Sequence, residues 1–384
     1  MNDSDGGTAL SGAALFGARL DRAHESMGIA GVDVVLLSLG ADLPWLTGYP
    51  AMPLERLTML VVPPVGAQER PVLFVPELEA PRVKPVPEVF EVQPWAETED
   101  PVALVASRVK RSSTGSPVIA ISDRAWATFV LQLQQQLPGA TWKTASEIMA
   151  PLRAIKDAAE VEALAKAASA ADRVADALLG GEIALVGRTE REVSAEITRR
   201  LLEEGHQRVG FAIVASGPNS SSPHHEPSER TIGKAEAVVC DFGGSLDGYC
   251  SDMTRTVFTG PPSKELAKIY GLVAQAQAAG VVSAEVGQLC SAVDWAARRV
   301  ITDAGYGQYF VHRTGHGIGL EEHEDPYMVA GNSTPVTAGN VFSVEPGIYV
   351  PHKFGVRIED IVAATERGPR PLNQADHALT VVEA

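Results

Sequence analysis

Residues 237–256 read AVVCDFGGSLDGYCSDMTRT, and this stretch decides how the chain folds around its chemistry. Asp241 closes the apolar run 237–240, and Asp252 opens a second β-rich run, 253–258. Between them, Gly243-Gly244-Ser245-Leu246-Asp247-Gly248 is turn-forming. A hairpin with Leu246 and Asp247 as its central turn residues would set Asp241 directly opposite Asp252. Like charges so placed are destabilising, and a cation between them removes the penalty.

The pattern recurs near the C-terminus. Glu345 lies in VFSVEPGIYVP and Glu359 in GVRIED. A hairpin centred on His352, inside Pro351-His352-Lys353, puts both glutamates on one face, although Pro346 and Gly347 interrupt its first strand. His316 lies in HRTGHGIGLEEHEDP. Four carboxylates and one imidazole suit one or two divalent cations of the manganese, cobalt or zinc type. Structural zinc would use thiolates, and none is placed for it. Each residue alone has a bland alternative: a turn or capping aspartate, a loop histidine, a surface glutamate before proline. Together those alternatives fail, because apolar strands do not repeatedly carry carboxylates without a partner.

At 384 residues the chain has room for two domains. A net charge of −16 argues against binding a nucleic-acid backbone. The N-terminal stretch MNDSDGGTALSG is polar, with no basic or apolar segment of a signal peptide, and no run approaches a membrane span. Three cysteines, Cys240, Cys250 and Cys290, suit a reducing, cytoplasmic setting. Strand parity turns Cys240 away from the face of Asp241, whereas Cys250 shares the face of Asp252, so two free thiols are expected there.

Residues 1–12 read as a flexible tail and 13–153 as an α/β domain. In the latter, helices are expected over 14–28 and 124–137, strands over 34–39, 57–62, 71–75, 89–94 and 118–121, and an irregular loop over 42–56. The boundary falls in 150–184, which becomes an Ala-rich helix over 157–179 ended by Gly180-Gly181. Residues 154–384 form the second domain, with helices over 189–204, 264–279 and 286–304. Two helices followed by a carboxylate-bearing hairpin occur twice, a coarse internal echo.

Six stretches in order carry a resemblance: PLRAIKDAAEVEAL, SGPNSSSPH, DFGGSLDGYCSD with TRT, GHGIGLEEHE, VEPGIY and RIED. From about residue 13 onward the chain resembles the creatinase/aminopeptidase P/methionine aminopeptidase superfamily, and within it Xaa-Pro dipeptidase (prolidase) and aminopeptidase P. The resemblance implies a creatinase-like N-terminal α/β domain followed by a pita-bread (α+β) metallopeptidase domain. It implies that Asp241 and Asp252 hold one metal with Asp252 bridging, that His316 and Glu345 complete the shell of the second, and that Glu359 bridges the pair. Manganese is the first expectation for both ions, with cobalt or zinc as the other options. His224, His312 and His323 match positions that face substrate, and Tyr349 and Arg357 match active-site positions. His225 has no such match and reads as a surface residue.

The implied reaction is hydrolysis of the Xaa-Pro bond at the N-terminus of dipeptides or short peptides by a bridging hydroxide. Metals lower the pKa of water, Glu345 shuttles the proton, and His224 or His323 stabilises the oxyanion. A prolyl nitrogen has no N–H and a fixed φ, which a close-fitting pocket formed with His224 and His312 can select. Arg56, in GYPAMPLER, is the candidate for the substrate carboxylate, since 324–340 holds no Arg or Lys; in a homodimer a first-domain loop can reach the neighbouring site. Aminopeptidase P activity on longer peptides is the alternative. A methionine aminopeptidase would share the ligands, but the large first domain and Ser222-Pro223-His224 favour the proline-specific branch. A non-catalytic binding protein on this fold would usually lack ligands that are all present here.

Overall fold

The computed structural model describes residues 12–113 and 115–382. The chain divides into two compact units, Met1–Arg153 and Ala154–Ala384. Of the tail expected over 1–12, residues 1–11 lie outside the described residues, and Gly12 already begins the first helix.

In the first unit the order is α1 (Gly12–Ala30), β1 (Val34–Leu37), α2 (Asp42–Thr47), β2 (Met59–Val62), β3 (Val72–Pro76), β4 (Glu91–Trp95), α3 (Pro101–Ser112), β5 (Val118–Ile121), α4 (Ala127–Gln136), β6 (Thr141–Thr144) and α5 (Ser146–Ala154). The strands form one mixed sheet ordered β4-β3-β2-β1-β5-β6. Strand β1 is VVLL because it lies in the middle and is buried along its whole length. Val105 and Val109 of α3 and Leu133 of α4 pack with Val34 and Leu36. Three helices, α2, α3 and α5, fall outside the expected ones. Part of the expected loop 42–56 is helix α2, which buries Leu43, Trp45 and Leu46. Helix α3 carries plain signals: Asp100 accepts from the backbone N–H of Val102 and Ala103, and Pro101 stands in the first turn.

The second unit opens with α6 (Ala158–Leu179) and α7 (Glu190–Glu203), each started by a capping box, Asp157 with Glu160 and Thr189 with Glu192. Strands β7 (Arg208–Ser216), β8 (Ala237–Leu246) and β9 (Tyr249–Phe258) form an antiparallel sheet. Helices α8 (Lys264–Val282) and α9 (Cys290–Asp303) follow. Strands β10 (Gly315–Gly317), β11 (Glu324–Met328) and β12 (Val341–Val344) then join β15 (Asp360–Thr365) and β16 (Gly368–Pro371) in a sheet ordered β11-β10-β12-β15-β16. Strands β13 (Gly347–Val350) and β14 (Phe354–Arg357) form a separate hairpin.

The register of the β8–β9 hairpin differs from the expected one. Asp241 pairs with Thr254, and Gly243 pairs with Asp252. The turn residues are Asp247 and Gly248, at φ +52° and +88°. A two-residue type I′ turn needs positive φ at both central positions, which Asp-Gly tolerates and Leu-Asp does not. The aspartates therefore share one face as diagonal neighbours instead of standing directly opposite. The second hairpin keeps the expected register. Val344 pairs with Asp360 and Gly347 with Arg357, so Glu345 and Glu359 fall together between the two pairings, at the break where Pro346 ends β12.

Along β8 and β9, alternate residues have opposite tasks. Val238, Cys240, Phe242, Met253 and Val257 pack with Val174 and Leu178 of α6 and with Val193 and Ile197 of α7. Asp241, Gly243, Asp252 and Thr254 occupy the other face. Cys240 lies in that helix-backed cluster and Cys250 in a different one, and both are free thiols, as is Cys290. Among the described residues no helix is long and apolar enough to cross a membrane.

Candidate active site

Asp241 from β8, Asp252 from β9, His316 from β10, and Glu345 and Glu359 from the ends flanking the second hairpin line one cavity, together with His224, His323 and Arg357. Gly243, paired with Asp252 across the hairpin, has no room for a side chain: a Cβ there would stand 2.1 Å from the Ser251 carbonyl and 3.0 Å from Phe211 Cζ. Three groups offer ligand atoms within 4.8 Å of one another: Asp241, Asp252 and Glu359; His316, Glu345 and Glu359; and Asp252, His316 and His323. Glu359, Asp252 and His316 each belong to two of these groups.

The hydrogen bonds fix how these ligands present themselves. His316 Nδ1 lies 3.1 Å from the Gly317 carbonyl, so it carries the proton and leaves the Nε2 lone pair free. Nε2 faces Glu345 Oε1 at 3.4 Å and Asp252 Oδ2 at 3.6 Å. Thr254 Oγ1 donates to Glu359 Oε2 at 2.6 Å and accepts from Arg357 Nε at 2.9 Å. Arg357 Nη2 donates to Asp241 Oδ2 at 2.6 Å, and Nη1 donates to the Tyr349 hydroxyl at 2.7 Å. That hydroxyl lies 2.9 Å from His312 Nε2, while His312 Nδ1 meets the Arg313 carbonyl at 2.7 Å. The consistent assignment is a neutral imidazole that accepts from Tyr349.

Burial and mutual repulsion dominate the electrostatics. Burial, then the charges of Glu359, Asp241 and Glu345, pushes Asp252 well above the ordinary carboxylate range. Burial, then Glu345 and Asp241, does the same to Glu359. Burial raises Glu345 to about 7. Burial, then neighbouring His323, lowers His316 to about 3, and burial, then Arg357, lowers His312 to about 3. Asp241 Oδ1 is buried with no hydrogen-bond partner. A crowd of repelling carboxylates with an orphaned oxygen and a neutral imidazole is a donor set that divalent cations complete. The residues therefore fit a metal centre.

Other expected residues fall into place less directly. Tyr349 is 3% exposed, and its hydroxyl is occupied by Arg357 and His312. Arg56 belongs to the first unit, where it pairs with Glu55 at 2.5 Å and Glu97 at 2.6 Å. His225 is not a simple surface residue. It is half-buried, and its Nε2 meets Glu190 Oε2 at 2.8 Å. Glu190 is a buried hub that sequence reasoning missed, since it looks like an ordinary first-turn acid of α7. It also accepts from Ser216, Asn219 and Ser228, pinning the segment 216–228 that carries His224. Thr254, Glu322 and Arg313 were missed as well. The Arg313 guanidinium lies over the Tyr327 ring, 4.4 Å from its centroid, and its charge disfavours protonation of His316 and His323, behind the larger effect of burial.

A first unit built on a mixed sheet, and a second carrying a buried carboxylate–imidazole cluster between two hairpins, define a two-domain metallopeptidase. Residues 162–366 match metallopeptidase family M24, and residues 19–155 match the creatinase/prolidase N-terminal domain. The chain belongs to family M24, with the creatinase-type N-terminal domain and the pita-bread C-terminal domain that its motifs imply. It is 40% identical over 375 residues to a probable dipeptidase PepE of Mycobacterium tuberculosis, covering 96% of this chain and 97% of that one. It is 35% identical to an Xaa-Pro dipeptidase of Lactobacillus delbrueckii subsp. lactis, covering 94% and 98%. A prolidase structure from Thermococcus sibiricus superposes with a TM-score of 0.89 at 36% identity, covering 97% and 99%.

Proposed function

We propose that this protein is an Xaa-Pro dipeptidase that hydrolyses the bond before proline at the N-terminus of dipeptides or short peptides. The observation that carries the reading is the convergence of Asp241, Asp252, His316, Glu345 and Glu359 on one cavity in overlapping ligand groups. Those five residues would hold a dinuclear centre, with manganese as the preferred ion and cobalt or zinc as substitutes. Bound divalent cations supply Lewis acidity, lowering the pKa of water and polarising a scissile carbonyl.

The remaining work belongs to side chains. Glu345 takes the proton of the attacking water and returns it to the prolyl nitrogen as that leaves. His323 and His224 donate to the carbonyl oxygen as it gains charge. Arg357, bound to Asp241 and shared with Thr254 and Tyr349, orients the acids and balances their charge. His224 and His312 wall the proline pocket, and Tyr349 steadies His312. Arg56 binds the carboxylate of a dipeptide, contributed across a homodimer, and the enzyme works in the cytoplasm on free peptides.

Aminopeptidase P activity on longer peptides is the second reading. The pairing of Arg56 with Glu55 and Glu97 favours it, because those acids compete with a substrate carboxylate. Assays of metal-loaded enzyme on Gly-Pro, Gly-Pro-Gly and Gly-Ala decide between them. Preference for Gly-Pro supports the dipeptidase, preference for Gly-Pro-Gly the aminopeptidase, and equal cleavage of Gly-Ala overturns proline specificity.

A further inference from the structure

We propose that Glu322 selects substrates whose N-terminal residue has a cationic side chain, as in Lys-Pro and Arg-Pro; this rests on the Xaa-Pro reading of the same cavity. Asp241, Asp252, Glu322, Glu345 and Glu359 are its lining carboxylates. Among the described residues, Glu322 alone of these joins none of the ligand groups, so the metal chemistry leaves its charge unused.

Its position is built. Strand β7 breaks register between Val209 and Phe211, and the Glu322 carboxylate lies against the intervening Gly210. A Cβ at residue 210 would stand 2.0 Å from Glu322 Oε1, so glycine there lets the carboxylate keep this position. Oε1 is buried and has no hydrogen-bond partner. Its ion-pair partner, Arg208 Nη2, stands 3.6 Å from Oε1, too far for a hydrogen bond, on a side chain 66% exposed, and the Glu322 side chain itself is 30% exposed. A buried acceptor left unmatched is costly, and an incoming ammonium or guanidinium would satisfy it.

The neighbouring wall supplies the rest. Phe211 and Ile213, which pair with Gly243 and Asp241 on β8, line the cavity beside Glu322. A lysine or arginine side chain lays its methylenes along apolar surface and keeps its charged end on a polar partner. Phe211 and Ile213 fit the stem, and Glu322 fits the head. The α-amine of the substrate is a different case. It is common to every dipeptide, so an anchor for it would not discriminate among N-terminal residues.

The test compares kcat/KM of the metal-loaded protein for Lys-Pro, Ala-Pro, Lys-Ala and Ala-Ala, in wild type and Glu322→Gln. A charge-assisted hydrogen bond predicts a roughly tenfold or greater preference of wild type for lysine over alanine at the first position. Glu322→Gln is expected to collapse that ratio. Calorimetric binding of Lys-Pro and Ala-Pro to chelated protein reads the same ratio without turnover. No lysine preference in wild type, a ratio that survives Glu322→Gln, or an equal loss on every substrate overturns the proposal. Failure of the Xaa-Pro reading shows separately, as Lys-Ala cleaved as well as Lys-Pro.

Discussion

Thr254 and Glu359 are joined twice, by a backbone bridge in which the Glu359 N–H donates to the Thr254 carbonyl at 3.2 Å, and by the threonine hydroxyl donating to Glu359 Oε2 at 2.6 Å. Because Thr254 also faces Asp241 across the first hairpin, this one residue ties the two carboxylate-bearing hairpins into a single site. Thr254→Val keeps the shape and removes the hydroxyl, leaving Arg357 Nε and Glu359 each short of a partner. The expected cost is about 1–3 kcal/mol of stability and a roughly tenfold to hundredfold weaker metal affinity. Urea unfolding and metal titration measure the two effects, and metal affinity equal to wild type would remove Thr254 from the site's support.

Cation binding should stabilise the fold strongly, since the buried acids repel one another without it. Melting temperature is expected to rise on adding manganese and to return on chelation. Asp252→Asn should raise the melting temperature of the chelated protein while abolishing the manganese-dependent rise and the activity. A mutant that melts lower than chelated wild type would show that repulsion at Asp252 is not what strains the metal-free site. Peptidase activity that survives complete chelation would eliminate the metal mechanism.

His323→Ala separates two roles. If His323 is the oxyanion donor proposed here, it would supply roughly 2–4 kcal/mol of transition-state stabilisation, and kcat should fall far more than metal content. The structure also offers His323 as a third ligand beside Asp252 and His316, and its ring stands edge-on to His316 with centroids 3.9 Å apart. Metal analysis of the variant decides: full occupancy with low kcat supports the donor role, and lost occupancy makes it a ligand.

Glu190 should make stability depend on acid pH in a definite direction. Burial works to raise it, but hydrogen bonds from Ser228, Ser216 and His225 overcome that and hold it down from the ordinary 4.5 to about 2. A depressed carboxylate stabilises the fold at pH above its unfolded value, and the contribution fades as pH falls from about 4.5 toward 2. Wild type should therefore exceed Glu190→Gln by an amount on the order of 2 kcal/mol at pH 7, with the gap shrinking below pH 4.5. Denaturant midpoints at several pH values give the gap, and one independent of pH would contradict the assignment.

What the sequence made legible depends on whether the signal is local. Asp241 and Asp252 stand out because acids interrupt apolar strands, and Gly180-Gly181 marks the end of the Ala-rich helix α6. The hairpin register lies one step from the expected one at the turn, and the turn chemistry of Asp247-Gly248 accounts for the difference. Glu190 hides because Glu192, the capping-box partner, explains the acidic first turn, while the donors to Glu190 come from a segment more than twenty residues on. Arg255 hides for the same reason. It reads as a strand residue in TRT but is 0% exposed, bound to Asp360 at 2.8 Å and to the Glu359 carbonyl at 2.7 Å. Partners brought together only by the fold leave no local pattern.

Arg56 gives the sharpest test of substrate length. A dipeptide ends in a charged carboxylate just past the proline, whereas a tripeptide presents a neutral amide there. If Arg56 binds that carboxylate, Arg56→Ala should lower kcat/KM for Gly-Pro by roughly tenfold and leave Gly-Pro-Gly nearly intact. Glu55 and Glu97 hold the guanidinium in the first unit, so Glu97→Gln should free it and improve Gly-Pro cleavage selectively. Both substitutions are conservative for folding, because the Arg56–Glu97 pair is exposed and such pairs contribute little to stability. Equal effects on both peptides would assign Arg56 a surface role and leave the carboxylate to another cation. Arg313, whose charge already bears on His316 and His323, is then the next to substitute.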